Sequence, residues 1–143
     1  MEENMGATIY AGNVDDLEGH APFRDGECVA LVQALTSVGP TMRWYPGPRV
    51  VDLSYLNPGT VIANFVNGKF PNRHGYHAAL FIDFARSVSG KVMSISVMDQ
   101  FRGRHPKNLV MARDIWARGD KTHRQGNPYS DCDNADQFYV VMA

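Results

Sequence analysis

DGECVALVQAL, residues 25–35, carries a polar turn into an apolar helical pattern, and one of the chain's two cysteines stands at the junction. Asp25 is a residue type that caps helix N-termini. Val29, Leu31, Val32 and Leu35 recur at about the spacing of one helix face, and Gly39-Pro40 stops the pattern. The stretch therefore predicts a helix with Cys28 at its start. Three readings of Cys28 are open at this point: a small core residue, half of a disulfide, or a nucleophile. A helix N-terminus favours an anion, because its first N–H groups are unpaired and the macrodipole is positive there. The reactive form of cysteine is the thiolate. The same N–H groups suit the oxyanion of an acyl-transfer intermediate.

Downstream, the chain reads as short strands and turns. Residues 41–60, TMRWYPGPRVVDLSYLNPGT, are rich in proline and read as loop, closing on the turn Asn57-Pro58-Gly59-Thr60. TVIANF (60–65) is strand-like, and Asn67-Gly68 turns the chain. HAALFIDF (77–84) and VMSISVMDQF (92–101) alternate like two strands of a hairpin, the second ending near Asp99. NLVMARDIW (108–116) reads as a strand or a short helix, and DQFYVVMA (136–143) as a last strand. A helix followed by antiparallel strands is an α+β plan. At 143 residues the chain suits a single domain over 1–143.

Composition narrows the function classes. A formal charge of −1 offers no electrostatic case for nucleic acid or an anionic membrane. No apolar run approaches a membrane span. The first twenty residues carry early acids and no apolar segment, which predicts no Sec signal and synthesis in the cytoplasm, with export by a signal-independent route left open. Cys28 and Cys132 form no CxxC, so neither a redox pair nor a zinc knuckle is expected. His74 and His77, three apart at a loop–strand junction, are a poor metal pair, and no cofactor is expected.

A nucleophilic cysteine needs a base, and the base needs an orienting acceptor. Of His20, His74, His77, His105 and His123, His77 opens a strand with apolar residues behind it, and the others lie in coil. If 77–84 and 92–99 form a hairpin, the start of one faces the end of the other, which brings Asp99 to His77.

Taken in order, GECVALVQAL, LNPGTVIANF, GYHAALFI and VMDQF resemble the papain-like bacterial cysteine amidases, the CHAP-type and NlpC-type peptidoglycan hydrolases. The resemblance covers about residues 20 to 102. It implies a papain-like domain with the cysteine helix packed on a small antiparallel sheet. It also implies Cys28 as nucleophile, His77 as general base, Asp99 as the orienting third member and Gln100 as an auxiliary polar group at the substrate. Glu27 stands where NlpC-type enzymes often carry Asp. A lone catalytic domain is similar to the amidase effectors of type VI secretion. That similarity implies a peptidoglycan substrate, action in the periplasm of a target cell, and a tight immunity protein in the producer.

The same residues have plainer readings. Cys28 alone is a buried thiol, and His77 a strand residue bonded to backbone. Trp44 and Tyr76 are candidates for a substrate groove, and Trp44 equally for the core. Cys132, among aspartates, reads as a sluggish thiol in a solvated turn. Arg102, Arg104 and Lys107 form a basic loop, either solvated or in contact with an acidic stem peptide. Two other functions share the pattern: a catalytically idle binding module, and a deamidase or acyltransferase acting on proteins.

Overall fold

A computed structural model describes residues 6–103 and 108–143. Among the described residues one α-helix and six strands form an α+β fold. Helix α1 spans Cys28–Leu35, and the strands are β1 (Tyr45–Arg49), β2 (Val61–Ala63), β3 (Ala78–Arg86), β4 (Val92–Asp99), β5 (Met111–Trp116) and β6 (Tyr139–Met142). They make one antiparallel sheet in the order β1-β6-β2-β3-β4-β5. The predicted hairpin is β3–β4, with Leu80 opposite Met98. The segment 108–116, open between strand and helix in the sequence, is the edge strand β5.

Two features of the sheet depart from expectation. The stretch 41–60 read as loop, yet Tyr45–Arg49 pairs with β6. Its two prolines are tolerated because β1 lies at the sheet edge, where only one side of the strand must donate to a neighbour. The last strand, β6, also inserts between β1 and β2, so the sheet is not a simple meander.

Helix α1 is only eight residues long, too short to hold itself in water. Packing supplies the rest. Cys28, Leu31, Val32 and Leu35, at i, i+3, i+4 and i+7, join Ala78, Leu80 and Met98 in one apolar cluster. Thr36 ends the helix, its N–H and hydroxyl both donating to the carbonyl of Val32, at 3.1 and 2.7 Å. This stop comes before Gly39, earlier than the punctuation suggested. The other face of the sheet buries Ile62, Phe81, Ile95 and Val140 beneath Val50, Leu53, Leu56 and Phe138. The sheet is thus covered on both faces, and only its ends remain for a cleft. The turn Asn57–Thr60 feeds β2 as read. Gly59 is required there: its φ is +90°, and a Cβ would lie 2.9 Å from the carbonyl oxygen of Tyr10.

Candidate active site

At one end of the sheet the cleft is lined by Glu27, Cys28 and Val29 from the helix start, by Phe70 and Asn72–His77 before β3, and by Phe101, Arg102, Arg113, Ser130, Cys132 and Asp133. Its volume is about 720 Å³. A second hollow, about 490 Å³, lies at the opposite end of the β3–β4 hairpin and contains no cysteine, histidine or serine.

Cys28 is the first residue of α1, but the cap is not the one expected. Glu27 occupies the N-cap position, and Asp25 instead accepts a hydrogen bond from the Glu27 N–H at 3.1 Å. Between them Gly26 adopts φ +86°, which swings the chain into the helix. The turn therefore delivers Cys28, not a cap two residues earlier, to the helix start.

His77 lies just before β3 and is buried. Asn64, fully buried after β2, accepts the His77 N–H at 2.9 Å on its side-chain oxygen, and its backbone N–H donates to the His77 carbonyl at 3.0 Å. The Asn64 amide also donates to the carbonyls of Asp131 and Gln137, at 3.2 and 2.8 Å. That side chain ties β2, the base and the C-terminal loops together. Continuing the β3–β4 register by one residue sets Asp99 beside Ala79, so His77 reaches Asp99 diagonally. The contact is His77 Nε2 to Asp99 Oδ2 at 2.7 Å, and Asp99 is wholly buried. On its other side His77 faces Cys28, near enough for the cysteine side chain to help hold the imidazole charged. Burial by itself would push the His77 pKa down. The hydrogen bonds and charges of Asp99 and Cys28 outweigh it and raise the pKa to about 9. The ring of Phe101 meets the imidazole edge-on, at 5.7 Å between centroids.

The structure thus brings Cys28, His77 and Asp99 into one chain of contacts, and sets Tyr76 on the cleft wall beneath the guanidinium of Arg73, 5.2 Å from its ring. It does not bring Trp44 or Gln100 to the cleft. Trp44 is buried against Phe70, with its indole N–H on the carbonyl of Gly39 at 3.1 Å, a core residue whose polar tip is satisfied inside. Gln100 is wholly buried, and its amide is spent on backbone groups. Cys132 is not in a solvated turn: it is half-buried on the cleft wall. Burial first, and the charge of Asp133 second, push its thiol up to about 11. Of the basic loop, Arg104 and Lys107 lie outside the described residues, as does His105. Arg102 is exposed and pairs with Glu27 and Asp25 at 3.4 and 3.8 Å.

One residue carried no sequence signal. Arg113, on β5, places its Nε 2.7 Å from the same Asp99 oxygen that holds His77, and reaches Asp133 at 3.5 Å and the Cys132 carbonyl at 3.3 Å. It links the buried carboxylate to the far wall of the cleft. Nothing in the local pattern MARDIW separates this arginine from a solvated one. Among the described residues, no group of three or more His, Cys, Asp or Glu could hold a metal ion.

Known proteins share the fold of this chain. A solved structure titled type 6 secretion amidase effector 2 (Tae2) superposes with a TM-score of 0.77 at 31% identity, over 94% of this chain and 93% of that one. A type VI secretion amidase effector 2 protein of Salmonella typhi is 34% identical over 117 residues, 81% of this chain and 84% of the relative. The profile of the family described as domesticated amidase effector 2 matches residues 4–141. The chain belongs to the domesticated amidase effector 2 family and is similar along most of its length to the type VI secretion amidase effectors.

Proposed function

We propose that this amidase effector hydrolyses peptide bonds of peptidoglycan by cysteine acyl transfer, with Cys28 as nucleophile, His77 as acid and base, and Asp99 as the group that orients and charges His77. The observation that carries the reading is the buried contact chain from Cys28 through His77 to Asp99 in a cleft wall. The Cys28 thiolate, paired with the His77 cation, attacks the carbonyl carbon of a stem-peptide amide. The first N–H groups of α1 have no intrahelical acceptor, and they stabilise the oxyanion. His77, a cation at neutral pH by virtue of its raised pKa, gives its proton to the leaving nitrogen as the C–N bond breaks. Water then attacks the thioester, His77 takes its proton, and the sulfur leaves. Tyr76 serves as a wall for the bound peptide. Residues 1–143 act as one catalytic domain. Delivery into a target cell, with a tight protein inhibitor kept by a producing cell, belongs to the same proposal. Among the described residues no helix is long and apolar enough to cross a membrane.

The test is digestion of purified Gram-negative sacculi by the wild-type chain and by Cys28→Ala, with products read by mass. Fragments from the wild type alone support the reading, and their masses name the bond. No fragments from either, with rapid alkylation of Cys28, point to acyl transfer on a protein substrate instead.

A further inference from the structure

We propose that Gln100 is a positioning residue, which locks the loop bearing the nucleophile to the same strand end that holds the base. The inference rests on the amidase reading for its kinetic test and on geometry alone for its structural one.

Gln100 is 0% exposed, and its side-chain amide is fully engaged. Its Oε1 accepts the Phe23 N–H at 2.8 Å, while its Nε2 donates to the carbonyls of Phe23 at 3.0 Å and Glu27 at 2.9 Å. The orientation of the amide is fixed by these partners: reversed, it would set NH₂ against N–H and oxygen against two carbonyls. Both backbone groups of Phe23 are thus paired as a neighbouring strand would pair them. The Glu27 carbonyl also accepts the first bond of α1, from Ala30 at 3.1 Å. A single buried side chain therefore grips the loop at its start and at the residue before Cys28.

The position of this grip makes it more than a core amide. Asp99, the preceding residue, holds His77 at 2.7 Å. Consecutive side chains leave an extended chain in opposite directions. One residue can thus orient the imidazole and the next the helix start. The separation of sulfur and imidazole is then set through one peptide unit and two side chains. The loop needs such a tether, since Arg24 and Gly26 both take positive φ, 52° and 86°. Its ion pairs to Arg102 are exposed, with side chains 51–60% accessible, and exposed pairs hold geometry weakly.

Amide exchange of the wild-type chain tests the tether without any substrate. The Phe23 N–H should exchange as slowly as the amides of β4, and exchange at the rate of the exposed turns would overturn the proposal. Gln100→Met keeps the volume and removes all three bonds; Gln100→Glu keeps an acceptor for Phe23 and sets a carboxylate against two carbonyls. On soluble cross-linked muropeptides, each variant should lose about 10²-fold in kcat per folded molecule, with KM within about twofold. A loss that only tracks the folded fraction, or a rise in KM at constant kcat, would overturn it and leave Gln100 as packing or as a substrate contact. Should neither variant fold, Phe23 exchange in the wild type decides alone. A wild type that releases no fragments defeats the amidase reading, and Phe23 exchange still decides the tether.

Discussion

The two ends of the β3–β4 hairpin hold ion pairs of nearly the same length in opposite surroundings. At the cleft end, His77 and Asp99 are 2.7 Å apart with side chains 7% and 0% exposed. At the hairpin turn, Arg49 meets Asp120 at 2.7 Å and Asp52 at 3.0 Å, with the carboxylates 82% and 60% exposed. Distance is not what separates them. Water screens the outer pairs and competes for every hydrogen bond, so little stability follows from their geometry. The inner pair has no water to fall back on. The hydrogen bond and charge of Asp99, with those of Cys28, then outweigh burial and hold the histidine as a cation well above its ordinary range. The cleft end keeps its charge away from water, and the turn end sheds it into solvent.

The widest gap between the two ends should come from the sulfur itself. Cys28→Ala is expected to abolish fragment release from sacculi, a loss of at least about 10³-fold, since among the described residues no other nucleophile lies against His77 to attack in its stead. Cys132, with its thiol held near 11, stays protonated at neutral pH and should not rescue it. Residual release by Cys28→Ala that vanishes on adding Cys132→Ser would break that distinction.

Asp99→Asn removes the charge and keeps the shape. With burial left unopposed by that charge, the pKa of His77 should drop, and kcat should fall by about 10²–10⁴-fold. In the wild type the alkaline limb of kcat/KM should lie near pH 9, where His77 loses the proton that the leaving nitrogen needs. Stability follows the same group. Its folded pKa is raised from an ordinary value of 6.5, so its contribution is complete below about pH 6.5 and is lost as pH climbs through 9. Melting temperatures measured from pH 6 to 10 should decline across that window, and the decline should flatten in Asp99→Asn. A wild-type alkaline limb near 6.5 would show that Asp99 does not hold the imidazole as a cation.

The sequence made the cleft's polar chain visible because each member sits at a break in pattern. Cys28 lies where turn chemistry gives way to helical spacing, His77 where Gly-Tyr meets an apolar run, and Asp99 where alternation ends. Breaks in pattern are local, and a reader of the chain can see them. The groups that escaped notice depend on pairing across the chain. Tyr45–Arg49 looked like loop because two prolines forbid a central strand but not an edge strand, and its edge position is set by β6, some ninety residues on. Arg113 is unremarkable until β5 lies beside β4. The place of Gln100 directly after Asp99 suggests a substrate contact, while its partners, Phe23 and Glu27, belong to the loop before α1. Trp44 was ambiguous for a physical reason: an indole suits a core or a groove equally, and only the carbonyl of Gly39 decides it.

Asn64 sharpens the comparison by adding a buried polar group without charge. Its amide serves three backbone partners, so Asn64→Ala takes the side-chain partner from the His77 N–H and from the carbonyls of Gln137 and Asp131, of which Asp131 keeps the Asn134 N–H. Each such group costs about 1–3 kcal/mol when stranded, and partial relaxation should hold the total to a few kcal/mol in denaturant unfolding. Activity per folded molecule should fall as well, because the His77 backbone loses its anchor. A variant as stable as the wild type would mean that the interior of this end tolerates unpaired groups as solvent does.

The smallest effect is expected at the hairpin turn, and it is the strictest control on the whole comparison. Arg49 lowers the pKa of Asp120 by hydrogen bond and charge, so Asp120 is an anion at neutral pH. Yet the Asp120 side chain is 82% exposed, so water screens that interaction and hydrates the unfolded form about as well. Asp120→Asn should leave kcat/KM and its pH profile unchanged, and should move the melting temperature by no more than the scatter between preparations. The backbone carbonyl of Asp120, which accepts the Gln137 amide at 2.8 Å, survives the substitution and keeps the loop in place. Raising the salt should likewise leave the wild-type melting temperature where it was, because there is little surface attraction to screen. A marked loss of stability in Asp120→Asn, erased by salt, would show that exposure does not discount a 2.7 Å pair here, and the contrast between the two ends of the hairpin would have to rest on something other than water.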